Sequence, residues 1–364
     1  MKLALVADQL LACAGAEKTF AVMCQAFPGA HIYTTIYDPV HAPQEFRQYA
    51  IRQLLSGPCF RDVNSLRKNF PLALAALQKF SFSGYDVVLS SAAHIGRFIR
   101  KGSAFHLSYT YCPFRLLYEP HLYPQISGLR GAAFLLGLPF LRAWDRSKAR
   151  QVDRFLSISR DSQNAILRCY GSASKIISPP VLNMPDVYIP SKKEEFYLMV
   201  SRFEPWKNLD MVITTFRNLD RKLMIVGEGP QEAALRRLAG SNVKFLGKVD
   251  EAALSQLYRA CRALIHPTAT EYGLTPIEAN AHGSPAICLG VKGVLDTMIS
   301  YQSDPERATA WFYDKSEPAA LRQAILDFEQ VQMDGLVCFR HAQQYSPRIF
   351  RERLQREVQQ ISHS

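Results

Sequence analysis

Short apolar runs alternate along the chain with segments whose apolar positions recur every three or four residues. Leu3–Ala7 is an unbroken apolar run and predicts a buried strand, and Glu17–Phe27 has the helical spacing of about 3.6. Further strands are predicted at His31–Ile36, Val87–Ser90, His106–Tyr109 and Phe155–Ser159. Near residue 180 the alternation stops. Pro179, Pro180, Pro185 and Pro190 restrict the backbone through a polar stretch and read as a linker. A second series then begins, with strands at Phe196–Val200, Lys222–Val226, Val243–Leu246, Ala263–His266 and Ala286–Leu289 and a helix at Leu209–Phe216. Strand–helix alternation of this kind predicts an α/β protein with parallel sheets. Two domains are expected, residues 1–180 and 181–345. The last segment, 346–364, is helical over Pro347–Ile361 and could return to the first domain.

Composition sharpens this picture. The chain has 364 residues, 48% of them hydrophobic and 21% charged, which suits two cored domains and excludes a disordered chain. The net charge of +11 is unevenly spread: residues 1–180 hold 21 Lys/Arg and 10 Asp/Glu, while residues 181–364 hold 22 of each. A basic half can meet nucleic acid, anionic lipid or an anionic ligand, or simply solubilise the surface. Cys13, Cys24, Cys59, Cys112, Cys169, Cys261, Cys288 and Cys338 show no CxxC spacing, so a reduced, cytosolic protein without a zinc or dithiol site is expected. Leu10-Leu11-Ala12-Cys13 mimics a lipoprotein cleavage box. However, Asp8 and Gln9 cut the preceding apolar run short of the roughly 7–15 residues a signal peptide needs. Gly131–Leu141 is the longest apolar run elsewhere and falls short of the ~20 residues of a spanning helix. With Arg130, Arg142, Arg146, Lys148 and Arg150 around it, Leu129–Trp144 reads either as a buried helix with a charged exit or as a helix lying on anionic lipid.

Candidate chemistry gathers at strand ends, where open α/β sheets bind ligands. Arg202 and Lys207 follow the strand Phe196–Val200; a planar fork and a point charge five residues apart can converge on a diphosphate. Gly290 and Gly293 follow another strand and either expose backbone N–H groups to phosphate or form an ordinary turn. Gly15 opens the first helix and permits close backbone approach, although the GxGxxG fingerprint is absent. His94 and Arg115 lie just past strand ends in the basic half; for His94, packing and function are both open. Glu271 and the stretch Tyr272–Gly283 form a loop running into a helix that presents Glu278. Gly227-Glu228-Gly229-Pro230 lacks the ending of a P-loop.

Taken together, these motifs resemble family 4 glycosyltransferases, retaining enzymes of the GT-B fold, and especially bacterial mannosyltransferases of surface polysaccharide assembly. The carrying residues run from Gly15-Ala16-Glu17-Lys18, through Ser90-Ser91 with His94, Pro113-Phe114-Arg115, Trp144-Asp145-Arg146 and Ser201-Arg202 with Lys207, to Val226-Gly227-Glu228-Gly229-Pro230, Phe245-Leu246-Gly247 and the patch ending at Gly283-Ser284-Pro285. The resemblance implies two Rossmann-like domains facing a cleft. It implies that Arg202 and Lys207 bind the donor diphosphate, that Glu278 holds the ribose hydroxyls, and that Lys248 and Val249 face the base. Gly15 would lie against the diphosphate and the reacting sugar, with His94 near that sugar. Gly273, Leu274 and Thr275 would line the donor sugar, and Arg115 and Tyr111 the acceptor side. The chain departs from the family pattern at Ala14, where relatives have glycine, at Tyr111, where they have histidine, and at Thr270, where the first of two glutamates belongs. Glu271, one place later, is the residue that would take over that contact. The implied donor is a nucleotide sugar, GDP-mannose by similarity, used without a metal or other cofactor. The implied acceptor is a polyprenyl-diphosphate-linked saccharide met at the cytoplasmic face of an anionic membrane, with no nucleic-acid partner.

Overall fold

The computed structural model describes residues 1–12, 14–60, 65, 69–93, 95–120 and 128–362. It divides into two compact units, residues 1–180 with 347–364, and residues 181–346.

The first unit holds β1 (Leu3–Ala7), α1 (Gly15–Ala26), β2 (His31–Thr34), β3 (Ile51–Gln53), α2 (Phe70–Leu77), β4 (Val87–Ala92), β5 (Phe105–Thr110), α3 (Arg115–Tyr118), α4 (Gly128–Ala149), β6 (Arg154–Ser157), α5 (Arg160–Tyr170) and β7 (Ser174–Ile176). Its seven strands are ordered β3-β2-β1-β4-β5-β6-β7, and every pairing is parallel. All residues of β1 and β4 are buried, as expected for central strands covered on both faces. The second unit holds β8 (Phe196–Val200), α6 (Leu209–Arg217), β9 (Lys222–Val226), α7 (Glu232–Leu238), β10 (Val243–Gly247), α8 (Glu251–Ala260), β11 (Ala263–His266), α9 (Leu274–Ala281), β12 (Ala286–Leu289), α10 (Val294–Thr297), β13 (Ala310–Tyr313), α11 (Pro318–Phe328) and α12 (Gly335–Ala342). Its six parallel strands are ordered β10-β9-β8-β11-β12-β13. The apolar face of α6, Leu209, Val212, Ile213 and Phe216, packs in one core with Tyr197, Leu223, Ile225 and Ile265 from the strands.

The last helix, α13 (Pro347–Ser362), belongs to the first unit. Phe350, Leu354 and Val358 are buried at helical spacing, and Phe350 meets the Tyr109 ring edge-on. Gln355 donates to the Ala26 carbonyl at 2.7 Å, and the buried Glu357 carboxylate pairs with Arg154 and Lys175. Helix α4 is half buried. Leu138 points into the core, with Phe134, Leu141 and Trp144 packed partly against it. Its other side exposes Leu135, Leu136 (79%) and Phe140 (80%). Among the described residues no helix is long and apolar enough to cross a membrane.

Candidate functional site

In the second unit, the loops leaving the C-terminal ends of β8, β9, β10, β11 and β12 are tied to one another by backbone and side-chain hydrogen bonds. Phe203 N–H donates to the Glu228 carbonyl at 2.9 Å, and Gly227 N–H to the Gly247 carbonyl at 2.9 Å. Asn208 donates to the Pro267 carbonyl at 3.2 Å, Thr268 to the Lys207 carbonyl at 3.4 Å, and Gly293 N–H to the Thr270 carbonyl at 3.0 Å. Gly227 has φ +131°, and a Cβ there would overlap the Ser201 carbonyl, so only glycine lets these two loops lie so close. Arg202 and Lys207 ride on this loop. Arg202 is exposed, and the Lys207 ammonium sits 4.0 Å over the Trp206 ring, a cation–π contact. Lys248 and Val249 follow β10, exposed and half-buried respectively.

The β11–α9 segment carries the carboxylates. Gly273 caps α9 at φ +85° and turns the loop into the helix. Pro276, in the first turn, lacks an N–H where a helix has no internal use for one. Ile277, Ala279 and Ala281 bury the inner face, and Asn280 anchors it by donating to the Ser284 and Thr309 carbonyls. Glu278 is half-buried, and its Oε2 accepts from the Tyr258 hydroxyl at 2.7 Å. His266 ends β11 and is buried. Burial, and then the nearby Lys207 charge, pull its pKa down to about 3, so the ring is neutral at pH 7. It sits between two hydroxyls, Thr275 Oγ1 at 3.3 Å from Nδ1 and Thr270 Oγ1 at 3.5 Å from Nε2. The Thr270 side chain therefore turns to His266, while Glu271 and Tyr272 lie with their backbone against Gly293. Arg202, Lys207, Glu271, Gly273, Leu274, Thr275 and Glu278 thus share one end of one sheet. A loop set with two cations and two carboxylates at parallel strand ends can receive an anion beside a hydroxyl-bearing group. Sequence reasoning missed Tyr258 and His266. For His266 a signal existed, a polar residue closing the apolar run Ala263-Leu264-Ile265.

Gly15, Tyr111 and Arg115 belong to the first unit. Gly15 opens α1, where no side chain caps the first turn. The Tyr111 hydroxyl donates to the Ala16 carbonyl at 3.2 Å and meets Ser91 Oγ at 3.1 Å, so it fastens the start of α1 to β4. Arg115 starts α3 and pairs with Glu119 at 3.4 Å. His94 lies outside the described residues. The Asp8 carboxylate accepts from the N–H groups of Ala93 and Gly96.

Residues 183–338 match the family model described as glycosyl transferases group 1. The D-rhamnosyltransferase WbpZ of Pseudomonas aeruginosa is 26% identical over 192 residues, which cover 48% of this chain and 49% of that protein. The O-antigen chain mannosyltransferase C of Escherichia coli is 30% identical over 101 residues, 26% of this chain and 27% of that one. The chain thus spans about half the length, or less, of these curated relatives. Among solved structures, Anabaena HepE in complex with UDP superposes with a TM-score of 0.73 at 15% identity, covering 99% of this chain and all of that one (100%). Sucrose-phosphate synthase from Thermosynechococcus elongatus gives a TM-score of 0.73 at 17% identity with 100% of both chains covered.

The fold is GT-B. Within this GT-B chain the family match falls on the second unit, and it contains Arg202, Lys207, Glu271 and Glu278.

Proposed function

We propose that the protein is a retaining glycosyltransferase of family 4 type. It moves a hexose, mannose from GDP-mannose, to a lipid-linked or oligosaccharide acceptor in cell-surface polysaccharide synthesis. The observation that carries this reading is the grouping of Arg202, Lys207 and Glu278 at the strand ends of the stretch that matches glycosyl transferases group 1. Arg202 and Lys207 stabilise the leaving diphosphate, and Glu278 binds the ribose. Fixed cations act more strongly on developing charge where water is excluded than they would in bulk water. Glu271 takes the sugar contact that Thr270 cannot make. Mannose is supported by two relatives, the O-antigen chain mannosyltransferase C and the alpha-1,3/1,6-mannosyltransferase ALG2 of Kluyveromyces lactis. A UDP-sugar donor is the second reading, favoured by the likeness to HepE, which was solved with UDP-glucose.

The acceptor side of the proposal includes a membrane. The outer face of α4 is apolar over Leu135, Leu136 and Phe140, and Arg146 and Arg150 are exposed further along the chain. Such a face suits peripheral contact with the anionic inner surface of a cell membrane. Phe140→Glu is expected to abolish binding to phosphatidylglycerol vesicles while leaving folding intact; equal binding of wild type to neutral vesicles contradicts the electrostatic part.

The activity is tested by incubating the protein with GDP-mannose, first alone and then with a lipid-linked acceptor. Acceptor-dependent GDP release with a glycosylated product is expected. An altered free nucleotide sugar without acceptor would point to an epimerase, and no turnover of any donor would point to a binding protein.

A further inference from the structure

Glu278 is gripped from two directions by a pair of stacked rings, and that grip has a use. Tyr258 lies on α8 and is wholly buried, yet its hydroxyl reaches Glu278 Oε2 at 2.7 Å. Its ring stacks on His282 with centroids 5.4 Å apart and 26° between planes. His282 in turn donates from Nδ1 to the Glu278 carbonyl at 2.8 Å, since a carbonyl oxygen can only accept. Side chain and backbone of one glutamate are thus fixed by two groups that are themselves packed. Burial pushes the Tyr258 hydroxyl pKa far up, so it remains a donor at any working pH.

We propose that Tyr258 is a positioning residue for Glu278: its hydroxyl sets the rotation of the carboxylate so that it meets the ribose hydroxyls of the nucleotide. The inference rests on the donor-site reading above and deepens it. A carboxylate held in one rotamer by a charge-assisted hydrogen bond makes paired contacts without first being ordered. Released, it loses part of its discrimination between a ribose and a sugar lacking a hydroxyl.

The test is calorimetric titration of GDP and UDP and of their 2′-deoxy and 3′-deoxy forms, with wild type, Tyr258→Phe and His282→Gln. For wild type, the ribonucleotide of the preferred base binds more tightly than its deoxy forms. In Tyr258→Phe the ribonucleotide weakens by roughly tenfold, the loss of one hydrogen bond to a charged group, while the deoxy forms change little, so the ratio falls. His282→Gln lowers the ratio in the same direction but less, and serves if the Phe variant does not fold. A ratio equal to wild type in the folded variants overturns the proposal, as does a variant that weakens all ligands equally, because that is what a purely structural role would do. Wild type that binds nucleotides without discrimination removes the ribose reading and the proposal together.

Discussion

Gly293→Ala is the sharpest single perturbation of the β11–α9 loop. Gly293 has φ −61° and ψ −26°, a conformation alanine adopts readily, so the change carries no backbone strain. The difficulty is space. A Cβ would fall about 1 Å inside ordinary contact, which begins near 3.4 Å, against the Glu271 carbonyl group and the Tyr272 nitrogen. These are backbone atoms and have no rotamer with which to yield. Overpacking of this kind costs about 1–3 kcal/mol, offset by ~0.4–1 kcal/mol from the stiffer unfolded chain. The net loss of about 1–2 kcal/mol lowers the melting temperature of the second unit by some 2–8 °C. The Thr270–Tyr272 segment relieves the clash by moving away, taking the Gly293–Thr270 hydrogen bond of 3.0 Å and the Glu271 side chain with it. A misplacement of about 1 Å at a reacting site can cost on the order of a hundredfold in rate. Differential scanning calorimetry and steady-state kinetics measure the two effects. Gly29→Ala is the control, because nothing lies within 4 Å of its added Cβ. Wild-type melting together with wild-type kcat/KM in Gly293→Ala would refute the tight apposition of these loops and the role given to Glu271.

Asp145 is fully buried and pairs with Arg97, also buried, at 2.7 Å. Asp145→Ala leaves that guanidinium uncompensated and is expected to destabilise the first unit by about 3–5 kcal/mol in urea unfolding, more than Arg97→Met combined with Asp145→Leu. His106 and His266 are both buried with pKa values pulled down to about 3. Below pH ~6.5 their unfolded forms bind protons that the native forms refuse. Stability therefore falls as pH drops from 6.5 toward 3, by up to ~1.4 kcal/mol per unit for each histidine. Urea midpoints between pH 6.5 and 5 should show this slope, flattened for the first unit in His106→Gln and for the second in His266→Gln; unchanged slopes would contradict the buried neutral rings.

Five interior strands are legible in the sequence with their bounds intact. Leu3–Ala7, Phe196–Val200, Lys222–Val226, Ala263–His266 and Ala286–Leu289 are the same residues in pattern and in structure. A parallel strand covered on both faces reads as a continuous apolar run. The three strands missed, β3, β7 and β13, are all sheet edges. Ile51-Arg52-Gln53 and Ser174-Lys175-Ile176 are short and partly polar, as edge strands are, and leave no run to detect. The long helix α4 was visible as an apolar stretch, but which side would be covered was not: Leu138 faces inward and Phe140, two residues on, faces solvent. The positions of Arg202 and Lys207 after β8, and of Glu278 within a helix, follow from the pattern. Their partners do not. Tyr258 looks like any aromatic on the inner face of a helix, and its bond to Glu278 spans twenty residues and two elements.

The most direct measurement is nucleotide release across a panel of GDP- and UDP-sugars, with a membrane extract as acceptor, for wild type and Glu278→Ala. The account predicts release from one donor, GDP-mannose, dependent on the extract and lost in the Glu278→Ala protein. Release that is unchanged in Glu278→Ala, or wild type that releases nucleotide from no donor at all, would contradict it.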